Sequence, residues 1–169
     1  YLSKVIKQKV TYTNQLLFTT CCFINVIAFN ATDEDKLNKL VPIILEISAK
    51  LLASDSSDCQ MAAHTMLAVF ATALPLNKNI IIAATETILA NLKEANVKKS
   101  ALLTIFKLFQ TLKGQGNIDQ LPIKIYKLFD NSFTLEYLLD YFNTANKESS
   151  SADKFFTAYI RSVIRYDHD

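Results

Sequence analysis

Residues 37–71, LNKLVPIILEISAKLLASDSSDCQMAAHTMLAVFA, consist of two apolar runs separated by a short polar break. In each run the apolar residues recur at intervals of three and four, which is the spacing of one face of an α-helix. The break is only a few residues long, so two such helices must lie side by side. The stretch therefore predicts an antiparallel helix hairpin, with helices over residues 34–53 and 58–73.

Local signals mark where these helices begin. Three acidic residues lie at the start of the first helix, where a helix N-terminus favours negative charge: Asp33, Glu34 and Asp35. Ser57 and Gln60 have the spacing of a capping box, in which each side chain bonds a backbone amide of the other residue. Pro42 lies inside the first helix and predicts a bend near Asn38–Pro42, because it removes one backbone hydrogen bond.

The rest of the chain has the same helical periodicity, and the sequence predicts an all-α fold. Only two glycines and three prolines occur, too few for the many tight turns of a β-sandwich or barrel. The stretch KNIIIAAT resembles a strand by itself, but its apolar spacing continues as a helix. Helices are predicted at residues 2–10, 14–29, 78–94 (opened by Asn77 or Lys78), 97–113 (capped by Asn96 and ended by Gly114), 122–130, 133–146 and 152–166.

The hairpins repeat along the chain. The helix pair 34–73 is followed by the pair 78–113, so equivalent starts lie about 40 residues apart, as in two-helix solenoids. Each hairpin has a wide apolar face that only a stacked neighbour can bury. The sequence predicts one segment, residues 1–169, with units at 1–30 (partial), 34–73, 78–113 and 118–167. Because the chain begins with Tyr1 rather than methionine, we expect it to be part of a larger protein.

Composition excludes several function classes. The net charge is +2, which by itself does not indicate a polyanionic partner. No apolar run reaches the roughly 18–20 residues of a membrane span. The spacing of Cys21, Cys22 and Cys59 does not fit a metal site. We therefore expect these cysteines to be buried as small apolar side chains, in a protein of a reducing, intracellular compartment.

No residue pattern indicates catalysis. There is no glycine-rich phosphate loop, and no serine or cysteine stands in a recognisable catalytic arrangement. His64 has no metal-ligand partner at helical spacing and is interpreted as an ordinary packed or surface histidine. We therefore expect no enzyme activity, no cofactor and no metal.

Positive charge is concentrated between residues 93 and 127, where seven lysines face only Glu94 and Asp119. If these lysines line one edge of the solenoid, they can meet the phosphates of a nucleic acid backbone. The alternative is a solvated polar face. The candidate RNA-backbone or partner contacts are Lys93, Lys98, Lys99, Lys124 and Lys127.

The tyrosine- and phenylalanine-rich end of the chain, from residue 137 onward, has two interpretations. The aromatic side chains can form the core of the last helices, or they can pack on a neighbouring repeat or partner. The sequence leaves both open.

The first hairpin resembles a HEAT repeat residue by residue. The matching positions are Leu40, Pro42, Leu45 and Leu51 in the first helix, Asp55 in the turn, and Ala63 and Leu67 in the second helix. Val97, Lys98, Ala101 and Leu102 match the start of a second helix again. The first hairpin departs from the family pattern by having Gln60 or Met61 where arginine is common, which puts the usual turn hydrogen bonds in question.

The order of motifs from about residue 37 to the end is similar to a family of very large HEAT-repeat proteins. The matching stretches include LVPIILEISAKLL, IIAATETILANLKEANVKKSALLTIFKLFQ and LPIKIYKLFDNSFTLEYLLDYF. The members of this family are the HEAT-repeat subunits of the UTP-A group, which is associated with the U3 small nucleolar ribonucleoprotein of the small-subunit processome.

The resemblance implies a non-catalytic scaffold in the nucleus and nucleolus that acts in early ribosomal RNA transcription and processing. Its implied partners are other UTP-A subunits, neighbouring HEAT repeats of the same chain and, through phosphate contacts, precursor ribosomal RNA. It implies no membrane and no small-molecule substrate. The alternative is a HEAT or armadillo protein-interaction adaptor in another nuclear or cytoplasmic complex.

Overall fold

The computed structural model describes residues 13–112, 118–144 and 152–167, and within these ranges it contains helices and no strand. The all-α prediction is confirmed, and the architecture is compatible with an α-solenoid. KNIIIAAT begins a helix, as its spacing predicts. The α-helices are α1 (Thr13–Phe29), α2 (Glu34–Leu52), α3 (Ser57–Ala73), α4 (Lys78–Ala90), α5 (Lys98–Gln110), α6 (Ile123–Ser132), α7 (Leu135–Thr144) and α8 (Asp153–Tyr166).

Two predicted helix starts are confirmed by capping hydrogen bonds. The Asp33 carboxylate accepts from the Lys36 amide at the start of α2, and the Asn77 side chain accepts from the Ile80 amide at the start of α4. α2 continues through Pro42 without a break in the helix, and the bend at this proline stays a prediction.

Two other predicted caps are wrong. Ser56 rather than Ser57 precedes α3, and no side chain caps that helix, so the capping box of Ser57 and Gln60 does not form. Asn96 lies in a short 3-10 turn, Ala95–Val97, and α5 begins only at Lys98. The Ser57 and Asn96 side chains, which were expected to cap their own helices, instead contact each other across successive turns.

Most predicted boundaries agree with the structure to within two residues, but α4 ends at Ala90, four residues early, and α5 ends at Gln110, three residues early. Gly114, the predicted stop of α5, lies outside the described residues. So does the predicted helix at 2–10.

The helices pack in two rows. α2 pairs with α3 and α4 pairs with α5, so the two predicted hairpins are formed. α4 also packs between α2 and α6, which makes α2, α4 and α6 a first row. α3 packs between α1 and α5, which makes α1, α3 and α5 the beginning of a second row.

The last hairpin departs from this pattern because two short helices continue the second row. α7 lies beside the first half of α5: the Lys98 ammonium is 5.9 Å from the centre of the Tyr137 ring, and the Phe106 and Tyr141 rings are 6.1 Å apart. α8 lies beside the end of α5, since Lys154 Nζ donates to the Leu112 carbonyl at 2.8 Å. α8 also packs against α6.

The core is continuous along both rows and is richest in aromatic residues at the α5–α8 end. Its fully buried rings are Phe70, Phe106, Phe109, Phe129, Phe133 and Phe155. Phe155 contacts Phe109 at 5.0 Å and Phe129 at 4.7 Å between ring centres. Of the two interpretations of the aromatic tail, the structure favours core packing. The large apolar side chains that α7 and α8 expose are aliphatic: Leu135, Leu139, Ile160 and Ile164.

The expectation of buried cysteines is wrong for two of the three. Cys59 is buried, but Cys21 and Cys22 are exposed on α1. The reason is that α1 contacts α3 on one side only among the described helices, so its other sides face solvent. No described helix combines the length and hydropathy that a membrane crossing needs.

Candidate interaction surfaces

The turns that connect the first row to the second form a polar edge, and Gln60 is its buried centre. Gln60 is 1% exposed. Its side-chain amide donates to the carbonyls of Leu52 and Ser54 in its own turn, at 3.3 and 3.0 Å, and to that of Asn91 in the next turn, at 3.1 Å. One side chain thus satisfies helix-end carbonyls in two successive hairpins.

Two exposed contacts reinforce this edge. Lys93 Nζ lies 2.6 Å from the Asp55 carboxylate, and this hydrogen bond from the ammonium group lowers the pKa of Asp55. Asn96 donates to the Ser57 hydroxyl at 3.3 Å. Because both pairs are exposed, they add little stability. They show, however, that Lys93 has a partner within the chain.

Two further candidate lysines also have partners within the chain. Lys98 Nζ donates to the Ser132 carbonyl at 2.9 Å and lies over the Tyr137 ring. Lys124 forms an ion pair with Glu86 of the neighbouring helix α4.

The structure does not bring all five candidate lysines together. Lys93, Lys98 and Lys99 lie in the turn before α5 and in the first turn of α5, in the second row. Lys124 and Lys127 lie on α6, in the first row. Lys99 and Lys127 are exposed, and neither has a hydrogen bond or ion pair with the described residues. Contact with RNA through this cluster stays a prediction.

His64 lies at the α3–α5 contact and is 2% exposed. Its Nδ1 is 2.8 Å from the Ser100 hydroxyl, which donates its own proton to the Val97 carbonyl. A neutral ring that carries its proton on Nδ1 is compatible with both contacts. Burial lowers the pKa of His64 to about 4, and the ring is neutral near pH 7. No His, Cys, Asp or Glu cluster among the described residues could hold a metal ion.

Sequence analysis did not single out the exposed apolar side of α1. Leu17, Phe18 and Phe29 are 62%, 65% and 87% exposed. A cleft of about 270 Å³ lies between α1 and α3 and is lined by Leu16, Cys21 and Met61, among others. The available signal was the absence of any charged residue from Thr13 to Phe29, which is unusual for a helix with a solvent-facing side.

Comparison with known families assigns the chain. The family model for U3 small nucleolar RNA-associated protein 10 matches residues 36–163, which is more than half of the chain. The chain belongs to this family. The match runs from α2 through α7 and includes most of α8, so the family relationship rests on both rows of helices. It confirms the resemblance to U3 small nucleolar RNA-associated proteins.

Three relatives carry the name of the same family. The U3 small nucleolar RNA-associated protein 10 of Kluyveromyces lactis is 84% identical over 100% of the chain. Those of Saccharomyces cerevisiae and Eremothecium gossypii are 65% and 61% identical, each over 99% of the chain. The chain spans 9% of the length of each relative.

Proposed function

We propose that the chain is a HEAT-type segment of a non-catalytic scaffold that acts in ribosome biogenesis. The observation that carries the proposal is the stacking of the two family-matched hairpins, α2–α3 and α4–α5, into rows. Stacked hairpins expose long surfaces with no central cavity, which suits binding of other macromolecules. The names of the relatives give the setting, since they associate those proteins with U3 small nucleolar RNA.

HEAT-type stacking explains two features of the surface. α1 exposes apolar side chains and carries no charge, as expected of a second-row helix whose neighbour belongs to a preceding repeat of the same chain. The Gln60 contacts supply the hydrogen bonds between successive turns that the sequence left in question. The repeat units of the proposal are the predicted ones, 1–30, 34–73, 78–113 and 118–167.

The partners in this proposal are other UTP-A subunits of the small-subunit processome, in the nucleolus. Precursor ribosomal RNA is a further partner, bound through its phosphate backbone. Of the predicted lysine cluster, only Lys99 and Lys127 remain exposed without a partner in the described part of the chain, and they lie in different rows. The cluster therefore supports RNA contact less strongly in three dimensions than in the sequence.

The test is co-purification of the full-length protein that contains this segment. We expect an affinity-tagged protein to recover UTP-A subunits, detected by mass spectrometry, together with U3 small nucleolar RNA and precursor ribosomal RNA, detected by quantitative reverse transcription. A matched purification of an unrelated nucleolar protein controls for abundance. Recovery of a different complex, with neither UTP-A subunits nor these RNAs, would contradict the proposal and favour an adaptor role elsewhere.

A further inference from the structure

Four cations of the second row are connected through shared or adjacent neighbours where α8 packs on α5. We call them the basic track: Lys107 on α5, and Lys154, Arg161 and Arg165 on α8. The two arginines are the only arginines of the chain. Lys107 is one of the seven lysines between residues 93 and 127, but none of the four cations is among the five predicted contacts. The three cations of α8 are far from Lys107 in sequence and come near it only because α8 packs on α5.

Gln110 joins the two helices within the track. Lys107 Nζ donates to the Gln110 side-chain oxygen at 3.2 Å, and Lys154 Nζ donates to the Gln110 backbone carbonyl at 3.3 Å. The two ammonium groups therefore border the same residue. On α8, positions 154, 161 and 165 are seven and four residues apart, so their side chains share one helix face.

The track has little internal neutralisation. Lys107 and Arg165 contact amide oxygens, of Gln110 and Gln120, and Lys154 contacts backbone carbonyls. Among the residues that the structure describes, only Arg161 pairs with a carboxylate, that of Asp119 at 3.1 Å, and both side chains of that pair are more than half exposed. Exposed ion pairs are weak, so an incoming anion can replace Asp119. Asp153, which lines a shared cleft of about 260 Å³ with Lys154 and Arg161, is the other acidic residue beside the track.

The length and chemistry of the track fit a linear polyanion. The α8 part alone, from Lys154 to Arg165, spans eleven helical steps, or about 16 Å of helix. Arginine presents a planar fork of donors that matches the oxygens of a phosphate. No aromatic side chain is more than half exposed on α8, so there is no platform on which bases could stack.

We propose that the basic track binds the phosphodiester backbone of RNA, without reading its sequence. The identity of the polyanion as RNA, rather than an acidic protein segment, rests on the proposed function in ribosome assembly. The contact is electrostatic, so its affinity depends on salt through the release of counterions from the strand.

The test compares two variants of the 169-residue chain that lose the same charge. The track variant carries Lys107→Gln, Lys154→Gln, Arg161→Gln and Arg165→Gln. The control variant carries Lys36→Gln, Lys39→Gln, Lys50→Gln and Lys78→Gln, at exposed positions outside both the track and the predicted lysine contacts. Circular dichroism melting establishes that both variants are folded before binding is measured.

The probe is a fluorescently labelled single-stranded oligouridine of about 20 nucleotides, titrated at several salt concentrations. We expect the track variant to bind at least about tenfold more weakly than the original chain. We also expect the slope of log affinity against log salt to shrink by about 3, since each lost cation removes roughly 0.7 on a single strand. The control variant keeps most of the affinity and slope.

An equal loss in both variants would overturn the proposal, because net charge alone would then explain binding. Track-dependent binding of poly-glutamate in preference to oligouridine would overturn it as well, in favour of an acidic protein partner. If Lys154→Gln destabilises the end of α5, a variant with only Arg161→Gln and Arg165→Gln gives the same comparison against Lys39→Gln and Lys78→Gln. Recovery of UTP-A subunits by the full-length track variant separates failure here from failure of the proposed function.

Discussion

Lowering the pH from about 7.5 to 5 should destabilise the chain through His64. The histidine is buried between α3 and α5, with its Nδ1 2.8 Å from the Ser100 hydroxyl, and burial lowers its pKa from 6.5 to about 4. The unfolded chain therefore takes up a proton first as the pH falls. Stability from this group is complete above pH 6.5 and is lost progressively as the pH falls toward 4.

The size of the effect follows from the two pKa values. One unit of pKa difference corresponds to about 1.4 kcal/mol, so the full shift is about 3.4 kcal/mol, of which about 2 kcal/mol is lost by pH 5. Urea unfolding, followed by circular dichroism at several pH values, measures this loss as a lower midpoint.

The matched variant is His64→Gln, which keeps an amide donor for Ser100 and does not titrate. We expect its free energy of unfolding to fall by about 2 kcal/mol less than that of the original chain between pH 7.5 and 5. The pKa values of the Asp33 and Asp55 carboxylates are lowered, so these groups take up protons below the pH range of the measurement, and they do so in both proteins. Equal losses in the two proteins would refute the reasoning, because His64 would then titrate normally in the fold.

Three further predictions concern the interior and the cysteines. Gln60→Leu removes an amide whose two N–H bonds are shared among three carbonyls, and we expect urea unfolding to show a loss of about 1–3 kcal/mol; no loss would mean that water replaces the amide. Thr85 is fully buried and its hydroxyl has no hydrogen-bond partner in the described part of the chain, so Thr85→Val should raise the free energy of unfolding by about 1 kcal/mol, whereas a loss would reveal a hidden partner. In the folded chain, Cys21 and Cys22 should react with a thiol reagent within minutes, whereas Cys59 should react only in denaturant. Mass spectrometry of the labelled peptides measures this difference. Fast labelling of Cys59 would contradict its burial.

The sequence predicts the helices and hairpins well because local periodicity determines them. The apolar spacing of residues 37–71 specifies α2 and α3, and the acidic residues before α2 supply its real cap at Asp33. Such features depend on neighbours within a few residues, and these neighbours are visible in the sequence.

Contacts between hairpins could not be predicted in this way. Ser57 and Gln60 have the spacing of a capping box, but Gln60 gains more by satisfying carbonyls in two turns, one of them 31 residues away. Asn96 likewise bonds Ser57 in the preceding turn. In both cases a long-range partner competes with a local motif, and the sequence alone does not show that partner.

The candidate surfaces were predicted least well, for the same reason. The predicted contacts lie within one stretch of the sequence, yet three of them bond another turn or helix: Lys93, Lys98 and Lys124. Lys107 and Arg165 are 58 residues apart and become parts of one surface only when α8 packs beside α5. A charge count along the sequence cannot anticipate which cations share a face.

The two long edges of the helix stack are held by different forces, and this affects how the stack bends. The edge with Gln60 and the Lys93–Asp55 pair is joined by polar contacts. The opposite edge is joined by connections whose apolar side chains are buried, including Leu74, Leu76 and Leu121. Apolar contacts weaken on cooling, whereas exposed ion pairs weaken in salt. Cooling should therefore loosen the apolar edge and change the curvature of the stack, whereas salt weakens the exposed Lys93–Asp55 pair but not the buried Gln60 bonds and should change the curvature little.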